Sequence, residues 1–269
     1  IRDRLPGYDM QSSPHNKRGE RSDNYTPEPA NQKCNDVAVS NAYRTHGTEV
    51  ASLIVGNGFG NVWGVSPGAL VLPVRIMGPC PINRHDIIDA IAWAAGFEVP
   101  GVPLNPHPAQ IINLSFAGGG FSCDVRTQAL IDRVVDRGIF VVAAGGNRIR
   151  KQLQEPANCR GVVSVGAVSP MGDIEVYSAR GSQAILQAPT PRHATNLNVN
   201  WSLNRLRVAT EEPDLLDRPR LVGAERGIGT SFTTPLVSGF IALVLSHQPN
   251  TSPRTLVPVS YTHLRAHET

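Results

Sequence analysis

Ile139-Phe140-Val141-Val142-Ala143-Ala144-Gly145-Gly146-Asn147 is the stretch that decides how this chain folds. An unbroken apolar run of strand length, closed by two glycines and an amide, reads as a strand buried on both faces. An amphipathic helix precedes it, Val125 to Arg137. Before that helix, Ile111 to Ser115 reads as a strand ending in a small-residue loop, and Val162 to Val168 reads as a third strand. Further out, His46 to Val55 carries Val50, Leu53 and Ile54 at helical spacing. Ala69 to Val74 is a compact apolar run, and Asp86 to Ala95 reads as a helix capped by Asp86. Ser231 to Ser246 is helical and mostly apolar, hence buried. Helices that alternate with continuously apolar strands predict an α/β fold: a doubly wound, mostly parallel sheet with helices on both faces. Residues 190–228 are polar and poorly periodic. Ile1 to Tyr43, with Pro6-Gly7, Ser12-Ser13-Pro14 and Pro27-Glu28-Pro29, reads as an irregular surface segment.

Bulk properties agree with one domain over residues 1–256. The chain has 269 residues, 41% of them hydrophobic, enough for a sizeable core. Its 25 glycines and 22 prolines suit many loops on a rigid scaffold. The net charge is +3, with no Lys/Arg block that would favour nucleic acid. No apolar run reaches bilayer length, the longest being Phe240 to Leu245, so no membrane span is expected. Ile1-Arg2-Asp3-Arg4 lacks the apolar core of a signal peptide. Cys34, Cys80, Cys123 and Cys159 fit one or two disulfides of an exported protein or four buried thiols, and no Cys/His spacing supports zinc. Residues 257–269 continue no pattern. Val259 to Thr269 reads like one frame of a sequencing adapter, so the tail is kept out of the fold, and His263 and His267 are not offered as ligands.

Three motifs carry chemistry. In Gly229-Thr230-Ser231-Phe232-Thr233-Thr234-Pro235-Leu236-Val237-Ser238-Gly239, a small-residue turn presents Ser231 at the start of a helix. Pro235 fits only in the first turn, where its missing N–H costs nothing. Developing negative charge is favoured there by the dipole and by free N–H groups. By itself the pattern fits an N-cap serine equally well. In Thr45-His46-Gly47-Thr48-Glu49-Val50-Ala51, a histidine beside glycine at a helix start can point its ring into a cleft and take a serine proton near neutral pH; alone, it is more often a cap or packing residue. In Val141 to Asn147, tiny residues admit a substrate backbone and Asn147 offers an amide donor to an oxyanion; alone, it reads as an Asx turn.

The conjunction resembles the subtilisin-like (S8) peptidase family. The matching residues are His46-Gly47-Thr48 with Val50-Ala51, Asn113-Leu114-Ser115, Asn147, and Gly229-Thr230-Ser231 with Pro235, Val237 and Gly239. Gly64 to Ala69, Pro156-Ala157-Asn158, and Tyr177-Ser178 with Gly181 add to it, over about residues 40 to 250. The resemblance implies a serine endopeptidase acting on an extended polypeptide. Ser231 would be the nucleophile, His46 the base and Asn147 the oxyanion donor. Ser115, Phe116, Ala117 and Gly118 would form one wall of the cleft; Ala144, Gly145 and Gly146 would form the facing S1 wall. Leu5-Pro6-Gly7-Tyr8-Asp9 and the cysteine spacing look most like secreted proteases of Gram-negative bacteria, which implies an extracellular monomer and a Cys80–Cys123 disulfide. The chemistry implied needs no cofactor. Relatives often bind Ca²⁺, but no acidic loop here is assignable to a metal.

Several positions depart from the family pattern. No Asp followed by Ser/Thr and Gly precedes His46. Asp9 follows a Pro-Gly turn and lacks that glycine. The triad carboxylate is therefore expected upstream of Ile1, with the chain N-terminally truncated and weakly active or inactive, and Asp3, Asp23 and Asp36 are read as surface carboxylates. Phe116 and Ala117 stand where Leu and Gly are usual, and Phe232-Thr233 where Met-Ala is usual. Two other readings are a peptide-binding relative without catalysis and an esterase or acyltransferase using the same nucleophile.

Overall fold

The computed structural model describes residues 5–11, 33–34, 37–38, 42–58, 62–77, 83–118, 120–148, 152–180, 186–190, 208–213, 219–225 and 228–256. Cys80, Asp3, Asp23, Asp36, Gly181 and the tail from 257 onward lie outside these residues. In chain order the elements are β1 Tyr8–Asp9, β2 Lys33–Cys34, β3 Val37–Ala38, α1 Ala42–Val55, β4 Val74–Arg75, α2 Arg84–Ala94, β5 Ile111–Leu114, α3 Val125–Asp136, β6 Phe140–Ala144, β7 Val162–Val168, β8 Leu186–Pro189, β9 Val208–Pro213, β10 Pro219–Glu225 and α4 Thr230–His247.

The centre is a parallel sheet in the order β5-β6-β7-β8. Ile112 stands opposite Val141, Val142 opposite Val163, and Gly166 opposite Gln187. Successive side chains of a strand point to opposite faces, so an unbroken apolar strand feeds two cores. On one face Val141 and Ala143 join Ile112 and Leu114 against Ile91 and Ala94 of α2 and Leu130, Ile131 and Val134 of α3. On the other, Phe140, Val142, Val163 and Val165 pack on Ile241 and Leu245 of α4. Helices on both faces of a parallel sheet make the doubly wound α/β fold expected from the sequence.

Four details differ from the sequence reading. Gly7 to Gln11, within the N-terminal segment read as surface, are interior: Tyr8 is 2% and Met10 0% exposed. Strand β1 pairs in parallel with β4, and the Tyr8 ring lies 5.3 Å from that of Trp93. A two-residue strand carries too little periodicity to be seen. The cap of α2 is Asn83, whose Oδ1 accepts from the His85 N–H at 3.0 Å; Asp86 sits inside the first turn. Within the stretch read as aperiodic, β9 and β10 pair antiparallel, with an irregularity between Leu221 and Gly223. Finally, α4 is 18 residues long with a mean hydropathy of 1.2, long and apolar enough by length and composition to cross a membrane. Its apolar character is explained by what it covers, because it packs across β5, β6, β7 and β8.

Candidate active site

Strands β5 and β6 run side by side, and α4 meets both: Thr230 bonds to Gly146 and Asn147 beyond β6, and Ser238 bonds to Asn113 of β5. In open parallel sheets a cleft forms outside the carboxyl ends of the strands. Here the residues just beyond those ends are Ser115 to Gly118 and Gly145 to Asn147, and Thr230, which opens α4 one residue before Ser231, bonds to Gly146 and Asn147.

The Asn147 side has dense local bonding. Asn147 Oδ1 accepts from the Thr230 N–H at 2.8 Å and from Thr230 Oγ1 at 2.9 Å. Thr230 Oγ1 in turn accepts from the Gly146 N–H at 3.2 Å. Because an N–H only donates, the atom facing Thr230 is the amide oxygen, which leaves Asn147 Nδ2 as a donor on an exposed side chain. The turn into α4 is built for this approach. Gly229 has φ 129°, and a Cβ there would lie 2.8 Å from Asn147 Nδ2, so any side chain would strain the backbone and push the amide away. The Thr233 and Thr234 hydroxyls donate to the Thr230 carbonyl. Thr230 stands in the quoted motif but was given no role there; its signal was a hydroxyl residue immediately before the serine.

Asn113 of β5 links both elements. Its Nδ2 donates to Ser115 Oγ at 2.9 Å and its Oδ1 accepts from Ser238 Oγ of α4 at 2.8 Å. Ser115 is buried, Phe116 and Ala117 are half-buried and Gly118 is exposed. Across from them Ala144, Gly145 and Gly146 are buried. A Cβ built on Gly146, which has φ 112°, would come 3.6 Å from Ala117 Cβ, so the two stretches face each other closely.

The Cys80–Cys123 expectation is overturned: Cys123 bonds Cys159, with Cα atoms 5.1 Å apart. Loop contacts decide this pairing. The Gly118 N–H donates to the Glu155 carbonyl at 3.0 Å and the Glu155 N–H to the Gly120 carbonyl at 3.3 Å, so the segment after β5 lies along the segment before β7. Arg84 adds a bridge, 3.0 Å from Asp124 and 3.1 Å from Glu155.

His46 lies about one turn inside α1, not at its start. Its Nε2 lies 3.3 Å from the Ser115 carbonyl. A carbonyl only accepts, so this bond requires the proton on Nε2. The imidazole also stands edge-on to the Phe232 ring, centroids 5.4 Å apart and planes at 84°. His46 thus reaches the residue after Ser231, while Asn147 reaches the residue before it. The motifs lead to the expectation that the His46 and Ser231 side chains come to or near hydrogen-bonding distance; among the described residues, the bonds run from His46 to Ser115 and from Asn147 to Thr230. Asp9 is engaged elsewhere: its Oδ1 accepts from the Gln11 N–H at 3.0 Å and its Oδ2 lies 3.5 Å from Arg75. Among the described residues no carboxylate forms an ion pair with His46, and no cluster of three His, Cys, Asp or Glu side chains forms that could hold a metal.

Residues 7–267 match the Subtilase family, Peptidase S8. The match runs into the tail that the sequence reading kept apart. The chain is 36% identical to an extracellular basic protease of Dichelobacter nodosus, over 94% of this chain and 41% of that protein. It is 37% identical to an extracellular protease of Xanthomonas campestris, over 76% of this chain and 33% of that protein. It therefore spans well under half the length of either relative. Among solved structures it resembles a protease from Pseudoalteromonas arctica, with a TM-score of 0.76 and 32% identity, over 94% of this chain and 74% of that one.

Proposed function

The chain belongs to the subtilase family of serine peptidases, and from that premise we propose that it is a serine endopeptidase that cleaves extended polypeptides outside the cell. Ser231 is the nucleophile in this reading, His46 the base and later the acid, and Asn147 Nδ2 with the Ser231 backbone N–H the oxyanion donors. The observation that carries it is the Asn147–Thr230 clamp: with the amide oxygen fixed at 2.8 Å on the residue before Ser231, the amide nitrogen is left to serve the same helix terminus as the nucleophile. Preorganised donors of this kind need no rearrangement when charge develops.

Ser231 Oγ attacks the scissile carbonyl and its proton passes to the imidazole. The carbonyl oxygen becomes the anion held by the two N–H donors. The imidazolium then protonates the leaving amine, and water repeats the sequence on the acyl-enzyme. For the first transfer the imidazole must present a lone pair to Ser231: with the proton on Nε2 that lone pair is on Nδ1, and for Nε2 to be the base the Ser115 bond must be given up and the proton moved to Nδ1. A substrate backbone laid along Ser115, Phe116, Ala117 and Gly118 would offer that carbonyl a competing N–H, which frees the ring when substrate arrives. The opposite wall is Ala144, Gly145 and Gly146. The reading requires a single chain, no cofactor, no nucleic acid and no membrane.

A carboxylate paired to His46 would orient the imidazole and stabilise the imidazolium. In subtilisin itself, of this same family, that carboxylate is worth about 10⁴-fold in kcat. The test is covalent labelling by a fluorophosphonate followed by peptide mapping. Labelling at Ser231 that Ser231→Ala abolishes is expected. Unlabelled Ser231 in folded protein overturns the reading, and turnover of a p-nitrophenyl ester without cleavage of casein replaces it with an esterase.

A further inference from the structure

His46 and Ser231 sit on different helices, α1 and α4, so the geometry of any proton transfer depends on how those helices dock. One docking point among the described residues is Phe232. Its ring, 8% exposed, packs against Leu53 of α1, which is 1% exposed, and Leu236 one turn along α4. Leu53 and His46 are seven residues apart and so share one face of α1. The same ring meets that face a second time, at the imidazole, 5.4 Å away and at 84°. Phe232 is therefore a wedge touching both the helix that carries the base and the base itself, and it is covalently adjacent to the nucleophile.

The hydrogen bond that the described residues make to the imidazole is soft. The Nε2–Ser115 bond of 3.3 Å is at the long end for such a bond and fixes one atom of the ring. A ring held at one atom can still pivot, and an edge-to-face aromatic neighbour defines its plane. The thioether usual in the family at this position, flexible and without a plane, would fill the space without imposing an angle.

We propose that Phe232 is the positioning residue of the base: its ring sets the plane of the His46 imidazole relative to Ser231. This rests on the peptidase reading for its catalytic consequence but not for its geometry, and the experiment separates the two. The His46 ring-proton resonances are assigned by NMR in the full chain and in Phe232→Leu and Phe232→Tyr, alongside the second-order rate of fluorophosphonate labelling at Ser231. In Phe232→Leu, which keeps apolar volume between α1 and α4, the ring-current shift of His46 disappears and labelling slows about tenfold to a hundredfold, the scale of a small misplacement of reacting groups. Phe232→Tyr keeps the ring, and restores both the shift and a labelling rate within about twofold of the parent. The proposal is overturned if His46 resonances are the same in the parent and Phe232→Leu, or if leucine and tyrosine slow labelling equally while the shift survives in tyrosine. If the parent is not labelled at all, the peptidase reading fails, and the NOEs from the His46 ring protons to neighbours other than residue 232 still decide the orientation: a changed pattern in Phe232→Leu upholds it and an unchanged one overturns it.

Discussion

The two halves of the site are held by different physics. Around Asn147, one side chain, one hydroxyl and two backbone N–H groups close a small hydrogen-bonded unit, with the donors between 2.8 and 3.2 Å. It is anchored in a strand whose residues are essentially unexposed: Val141, Val142 and Ala143 are each 0%. Around His46 the described residues supply one bond of 3.3 Å and one ring contact, on a helix that packs on α4 at Leu53 and Phe232. In the proposed reading, the Asn147 half would meet the developing charge and is hydrogen-bonded in place before substrate comes, which is where preorganisation lowers a barrier. The His46 half would take and return a proton and is held by fewer of the described contacts. The asymmetry suits the proposed acyl transfer, in which oxyanion donors act by staying still and the base acts by exchanging partners.

Removing the rigid half's donor should have the largest effect. Asn147→Leu is expected to slow fluorophosphonate labelling at Ser231 by about 10²–10³-fold, equivalent to roughly 3–4 kcal/mol, the size established for this donor in subtilisin. A loss under about fivefold would mean that Asn147 Nδ2 does not face the developing anion, and the contrast between the halves would collapse.

Next in size is the disulfide that holds the cleft wall. Cys123 and Cys159 are separated by 36 residues, and closing a loop of that length removes about 3–4 kcal/mol of chain entropy from the unfolded state. Cys159→Ala is expected to lower the stability measured by urea unfolding by about 2–4 kcal/mol relative to the oxidised parent. The wall would keep its backbone bonds from Gly118 to Glu155 and from Glu155 to Gly120, so labelling of the folded fraction should change little. If labelling collapses while stability holds, the wall depends on the covalent link and the rigid half extends further than Asn147.

How much of this was legible in the sequence follows from how far each feature depends on neighbours in the chain. Strand β6 and helices α3 and α4 were readable because burial on a sheet writes itself as unbroken apolar runs or a helical stripe. Strand β8, Leu186-Gln187-Ala188-Pro189, was not, because it mixes apolar and polar residues and takes its identity from pairing with Val165 to Val168. Strand β1 was misread as surface for the same reason. Ser231, His46 and Asn147 were each ambiguous alone and informative together, since a helix terminus, a strand end and a histidine beside glycine rarely recur in one order by chance. The cysteine pairing was out of reach: which thiols meet depends on Gly118, Gly120 and Glu155 bringing two loops alongside, and spacing does not record that. The His46–Ser115 bond was equally hidden, because it joins residues that share no local pattern.

The smallest expected effect tests whether charge at the rim of the rigid half matters to the site or only to the fold. Asp124 caps α3, its Oδ1 accepting from the Arg126 N–H at 2.9 Å, while its Oδ2 lies 3.0 Å from Arg84, which also reaches Glu155. The Arg126 N–H, opposed by partial desolvation and helped by the Arg126 and Arg84 guanidinium groups, holds the Asp124 carboxyl below the ordinary carboxylate value. A value lowered by folding means that the ionised group favours the folded state. That contribution is complete above the ordinary carboxylate range and is lost as pH falls through the lowered value. Asp124→Asn keeps a competent cap and removes only the charge. The variant should therefore unfold at a slightly lower urea concentration than the parent at neutral pH, with an unchanged slope. The gap should close in acid, where the parent loses its charge too. Labelling at Ser231 should be unaffected throughout, because the disulfide and the Gly118–Glu155 bond still hold the wall. A gap that persists in acid would put the effect in the cap geometry instead, and a fall in labelling would show that the Arg84 bridge, not the backbone, sets the wall against which the substrate lies.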